Sequence, residues 1–162
     1  MRKVLLVLGL SGLAFAGESF VDVPITINNT GGCVFDNMPS VIDFGSVPWS
    51  AYQGNSTYNL TPFQVSVKCT NGINYSVSIA SGWYSFYDYV RLTQGSNAVR
   101  LTFFRDSAYT QQITNQNGVI GSGTGNGNTQ TITVYPRLTG CDTLGSCPAG
   151  NYSGTVTLRI TY

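Results

Sequence analysis

The 162-residue sequence contains no histidine, and charged residues make up only 9% of it. Without an imidazole there is no His-containing nucleophilic triad. The acidic side chains are few and scattered: Glu18, Asp22, Asp36, Asp43, Asp88, Asp106 and Asp142. A carboxylate pair of the glycosidase kind could arise only if folding brought two of them together. Asp43 and Asp106 are expected instead to satisfy backbone groups at strand ends or turns. Helical periodicity is missing too, because no stretch repeats its apolar residues at three-and-four spacing. These absences argue against an enzyme and predict neither a cofactor nor a bound metal.

Long apolar runs are also scarce. Val4 to Leu13 forms one, preceded by Arg2 and Lys3 and followed by Ala14-Phe15-Ala16. This is the pattern of a secretory signal peptide over residues 1–16, too short to span a bilayer, so no direct membrane insertion is expected. The mature chain then starts at Gly17 and has the size of one ordinary domain. Without Arg2 and Lys3, six basic residues of the eight remain against seven acidic ones. That balance builds no basic stripe for nucleic acid or an anionic membrane surface. Ten Tyr and eight Phe in so neutral a chain suit a molecule packed against copies of itself.

Four cysteines in an exported chain imply two disulfides, with three possible connectivities. Cys141 and Cys147 enclose Asp-Thr-Leu-Gly-Ser, a loop able to turn, and pair most naturally with each other; Cys33 and Cys69 are left as partners. The chain-entropy estimate is roughly 4 kcal/mol for the long loop and about 2.5 kcal/mol for the short one. The absence of histidine and of zinc spacing argues against a metal site.

Two-residue alternation recurs along the mature chain and predicts strands at Val41–Val47, Phe63–Cys69, Ile73–Ala80, Val99–Arg105, Thr129–Tyr135 and Gly154–Tyr162. Thr70-Asn71-Gly72 supplies turn residues for a hairpin between the second and third of these. Short strands separated by Gly, Asn, Ser and Pro argue for an antiparallel sandwich of immunoglobulin type. Gly121–Asn128 lacks the Lys-Ser/Thr ending of a phosphate loop and reads as a connector. Trp83–Tyr89 is an aromatic cluster that suits either a ligand platform or a packing surface, with packing favoured.

The two ends stand out. Val21, Val23, Ile25 and Ile27 alternate with Asp22, Pro24, Thr26 and Asn28, yet no tight turn returns this strand onto a neighbour. Val156, Leu158, Ile160 and Tyr162 form a second apolar face at the other end. An immunoglobulin-type sandwich needs one further strand after that position. A spare strand at the start and a missing one at the end are expected to answer each other.

Several segments in this order resemble a known family: the Val21-to-Ile27 alternation followed by Gly-Gly-Cys ending at Cys33, then Ile42–Gly45, Val65–Ile79, Leu101–Thr110, Thr131–Leu138 and Pro148–Tyr162. Together they resemble the spore coat protein U domain, which is also the pilin domain of archaic chaperone–usher fimbriae. The resemblance implies an all-β, incomplete immunoglobulin-like antiparallel sandwich lacking its last strand, completed by a donor strand from a neighbouring subunit. Carried onto this chain, residues 17–32 form the donor strand and linker, and residues 33–162 the pilin domain. Val21, Val23, Ile25 and Ile27 are the donor side chains; Val156, Leu158, Ile160 and Tyr162 edge the acceptor groove. The implied partners are identical or homologous pilin subunits, a periplasmic chaperone and an outer-membrane usher. The implied place is the cell surface, in a fimbria supporting adhesion or biofilm formation. The Cys141–Cys147 pair, the long Trp83–Val90 stretch and Pro24 within a strand depart from the pattern. A self-complemented secreted coat protein and a carbohydrate-binding module using Trp83–Tyr89 are the alternatives.

Overall fold

Alternation in the sequence becomes alternation in burial. In Phe63–Cys69, Val65, Val67 and Cys69 are buried while Gln64 and Lys68 are exposed; in Asn74–Ser81, Tyr75, Val77 and Ile79 are buried against them. The computed structural model describes residues 30–48, 56–142 and 147–162. Residues 1–16 and the donor candidates Val21, Val23, Ile25 and Ile27 lie outside the described residues.

Ten strands follow one another: β1 (Cys33–Phe35), β2 (Tyr58–Asn59), β3 (Phe63–Cys69), β4 (Asn74–Ser81), β5 (Val90–Gln94), β6 (Asn97–Phe104), β7 (Gln112–Ile113), β8 (Val119–Thr124), β9 (Thr129–Cys141) and β10 (Thr157–Thr161). There is no helix among the described residues. One sheet runs β1-β3-β9-β6-β5, with β2 also on β9 and β7 on β6; the other runs β10-β4-β8, and every pairing is antiparallel. The two sheets enclose a core that includes Val65, Val67, Val77, Leu101, Phe103 and Val134. This is the sandwich that the alternation predicts.

Four expectations need correction. Thr70–Gly72 does turn the chain, with Gly72 at φ +82°, but β3 and β4 do not pair as a hairpin. They belong to opposite sheets, so the turn is a corner between layers. Val41–Val47 is not a strand: the Asp43 carboxylate accepts a hydrogen bond from the Gly45 N–H at 2.8 Å, and Gly45 at φ +67° breaks the extended run. Gly121–Asn128 is not only a connector, because its first four residues belong to β8. A Cβ on Gly125, just beyond, would sit 2.3 Å from the Thr70 carbonyl oxygen, so glycine is what lets the corner close.

The strand predicted to end at Tyr135 continues through Pro136 to Cys141. Pro136 falls between the stretch of β9 paired with β3, which ends at Val134, and the stretch paired with β2, which begins at Arg137. Its carbonyl accepts from Leu60 N–H on that same side, so the missing amide hydrogen faces a gap in the ladder.

Both disulfides are present. Cys33–Cys69 joins residues already opposite each other in the β1–β3 ladder, and Cys141–Cys147 closes the short loop after β9. Strand β6 is buried on both faces over its last four residues. Its outer face is covered where the Arg137 guanidinium lies 4.1 Å from the Tyr109 ring centroid and 5.0 Å from that of Phe104. Tyr109 is held there by a turn that Asp106 organises, accepting from Thr110 Oγ1 at 2.7 Å and from the Gln111 N–H at 2.8 Å. These bonds, led by the Thr110 hydroxyl, hold the Asp106 carboxyl below the usual carboxylate range.

The aromatic stretch forms a locked turn. Tyr84, Tyr87 and Tyr89 stack on one another, with centroids 5.5–5.9 Å apart, and Arg91 lies 4.4 Å over Tyr84. Asp88 accepts from the Asn115 N–H at 2.7 Å, and Phe86 at the tip is 95% exposed. Tyr89 donates to Asp142 Oδ1 at 3.0 Å; burial first, then this bond and the Asp142 charge, push its pKa up to about 12.

Two outcomes are expected. Ile113, on a two-residue strand yet fully buried, should cost about 2–5 kcal/mol as Ile113→Ala, measured by urea unfolding with the disulfides intact. A raised folded-state pKa means that the Tyr89 contribution is complete below its ordinary value of 10.0 and lost as pH climbs through about 12. In an ultraviolet titration of the ten tyrosines, Tyr89→Phe should remove a phenol ionising near pH 12.

Candidate functional site

Strand β10 pairs with β4 on one side only; among the described residues no strand meets its outer edge. Val156, Leu158 and Ile160 alternate with exposed Thr157, Arg159 and Thr161, and each of the three is only half-buried. Beside this edge lies a groove of about 870 Å³. One wall is residues 149–156 with Leu158, and another is residues 38–47, which include Phe44 and Val47. The floor is Leu60, Phe63, Val90, Leu92, Val99, Leu101, Phe103 and Leu138, drawn from β3, β5, β6, β9 and the loop after β2.

The groove is a consequence of the strand layout. The large sheet carries its apolar residues across to the small one, but the small sheet has three strands and stops at β10. Past that edge the floor meets no further strand among the described residues. The irregular segment 38–47 rims the opening without supplying a ladder.

Of the four residues assigned to the groove edge, Val156 and Leu158 line the cavity. Ile160 packs on the core farther along β10, and Tyr162 is 65% exposed with its ring beside Gly32. The four donor candidates lie outside the described residues. Val156 apart, the walls at residues 38–47 and 149–155 were not found from the sequence. Val41–Val47 carried a strand signal that named its apolar residues but not their role, and Ala149–Ser153 carries no periodic signal at all.

Chemically the groove is suited to apolar contact. Asp43 is the one charged side chain on its lining, and its carboxylate is engaged by the Gly45 N–H. The other described acids are each taken up separately: Asp36 by Thr129, Asp88 by Asn115, Asp106 by Thr110 and Gln111, Asp142 by Tyr89 and Arg91. What the site offers is an alternating apolar surface beside a row of main-chain groups. That is the arrangement to which an extended strand adds.

Solved structures share this fold. A chain of the CsuC–CsuE chaperone–tip adhesion subunit pre-assembly complex, from the archaic chaperone–usher Csu pili of Acinetobacter baumannii, superposes with a TM-score of 0.55 at 16% identity over 82% of this chain. This chain spans 40% of that one's length. The P pilus rod subunit PapA gives 0.57 at 11% identity, covering 80% of this chain and 98% of its own. A subunit from a chaperone–usher pilus structure that addresses rod uncoiling gives 0.57 at 12% identity, covering 94% and 99%. At such identities the likeness is one of fold, the immunoglobulin-like fold of pilins. No curated protein matches the chain. The family model of the Spore Coat Protein U domain matches residues 20–159, nearly the whole of the sequence described above, and the chain belongs to that family.

Proposed function

We propose that the protein is a structural subunit of a surface pilus, polymerised when the segment bearing Val21, Val23, Ile25 and Ile27 of one copy fills the groove beside β10 of the next. The free edge of β10 over an apolar floor is the observation that carries this reading. Pilin strand complementation is an established instance of strand addition, in which main-chain hydrogen bonds give affinity and alternate side chains give specificity. The family membership and the pilin fold support it. Export through the periplasm, a chaperone that shields the groove and an usher that orders the subunits belong to the same reading. So does a role as building block rather than enzyme.

Energy supports it as well. Burying four aliphatic side chains contributes about 6–12 kcal/mol at about 1.5–3 kcal/mol each. That is comparable with the whole stability of an ordinary domain, about 5–15 kcal/mol. Pro24 forfeits one ladder bond, about 0.5–1.5 kcal/mol, which four inserted side chains outweigh. A subunit with an open groove is therefore less stable and more prone to aggregate than a filled one.

Deleting residues 17–28 should leave a chain that accepts a strand but cannot pass one on. Unheated detergent gels should show a ladder of polymers for the intact protein and none for the deletion; an equal ladder from both overturns the proposal. A second check uses two point variants. Ile25→Asp should spoil donation and Leu158→Asp should spoil acceptance, so neither polymerises alone, while an equimolar mixture yields dimers and nothing longer.

A further inference from the structure

The wall at residues 149–156 belongs to neither sheet. It leaves the edge of β5 and crosses to the small sheet, where it becomes β10. Among the described residues, its backbone hydrogen bonds to β5 are the pair between Thr93 and Ser153, at 2.8 and 3.1 Å. Just upstream the attachment is covalent. Cys147, fully buried with its Sγ 3.4 Å from the Ala98 carbonyl oxygen, is bonded to Cys141 at the end of β9. That end of β9 is itself firmly held. The Cys141 carbonyl accepts from Arg100 at 2.9 Å, the Asp142 N–H donates to the Ala98 carbonyl at 2.9 Å, and the Asp142 carboxylate meets Arg91 at 2.7 Å and Tyr89 at 3.0 Å. The locked aromatic turn, through Tyr89, therefore buttresses the corner from which the wall hangs.

We propose that the Cys141–Cys147 disulfide is the positioning element of the groove, holding residues 149–156 at the separation from residues 38–47 that admits an apolar strand. This rests on the strand-accepting reading above. A crossing held only toward its downstream end, by the Thr93–Ser153 bridge and by Tyr152 and Val156 packing on the core, would leave its upstream residues to be ordered each time a strand enters. Anchored at both places, it is ordered during folding, and binding retains that free energy. Cys147 is sealed from solvent and Cys141 is half-buried, so the staple sits at the margin of the core. Cys33–Cys69 differs in kind, because it joins residues that their ladder already holds in register.

The test uses the full mature chain carrying Val23→Asp and Ile25→Asp, so that its own segment no longer donates, titrated with a synthetic peptide of residues 19–29. Cys141→Ser with Cys147→Ser should weaken peptide binding about tenfold or more. Two insertions that keep both disulfides separate positioning from general stability. Gly-Gly between Cys147 and Pro148 slackens the wall and should give a comparable loss; Gly-Gly between Leu144 and Gly145, inside the stapled loop, should leave affinity within about twofold. The insertion pair decides the matter if the serine variant fails to fold. Unchanged affinity after the first insertion, or equal loss from both, overturns the proposal while leaving strand acceptance intact. A peptide that fails to bind the parent chain overturns both together.

Discussion

An unpaired strand edge beside an apolar floor is an unstable arrangement for an isolated domain, and the rest of this structure is organised around it. The N–H and C=O groups along the outer side of β10 have no ladder partner among the described residues, and Val156 and Leu158 are only half-covered. Proteins usually blunt such edges with charge, proline or a covering loop. Here Arg159 and the residues of segment 38–47 stand nearby, but neither closes the ladder. The large sheet is by contrast completed on both sides of its long central strand, β9, which joins β3 and β2 to β6. A firm half thus supports an unfinished one.

The polar and aromatic residues serve the firm half. Asp106, Tyr109 and Arg137 cover the outer face of β6, and Tyr89, Arg91, Arg100 and Asp142 fix the end of β9. In a chain with so few charges, each one described among these has a structural partner. The Trp83–Tyr89 stretch follows the same logic. Its tyrosines stack on one another and on Arg91, with Tyr87 59% exposed and Phe86 almost wholly in solvent.

Fold neighbours at 11–16% identity show how little of this architecture depends on particular residues. What the neighbours share with this chain at that distance is the fold. Disulfides vary the scheme locally. One reinforces an existing ladder, while the other ties down a crossing that no sheet contains.

Much was legible from residue order alone. Period-two alternation marked β3, β4 and most of β9 and β10, because burying one face of a strand demands it, and it marked β6 although that strand is covered on both faces. Pairing of the cysteines followed from the short loop between Cys141 and Cys147. Other features depended on which layer each strand joined, and no local signal encodes that. Thr70–Gly72 has the residues of a hairpin turn whether its strands pair or face each other across a core. Pro136 reads as a strand end until β2 and β3 are seen to leave a gap beside it. The groove is of the same nature: its floor gathers residues from Leu60 to Leu138, and its walls are segments without periodicity. Local sequence determined which faces are apolar. Only the packing of two unequal sheets decided which of those faces would be left open.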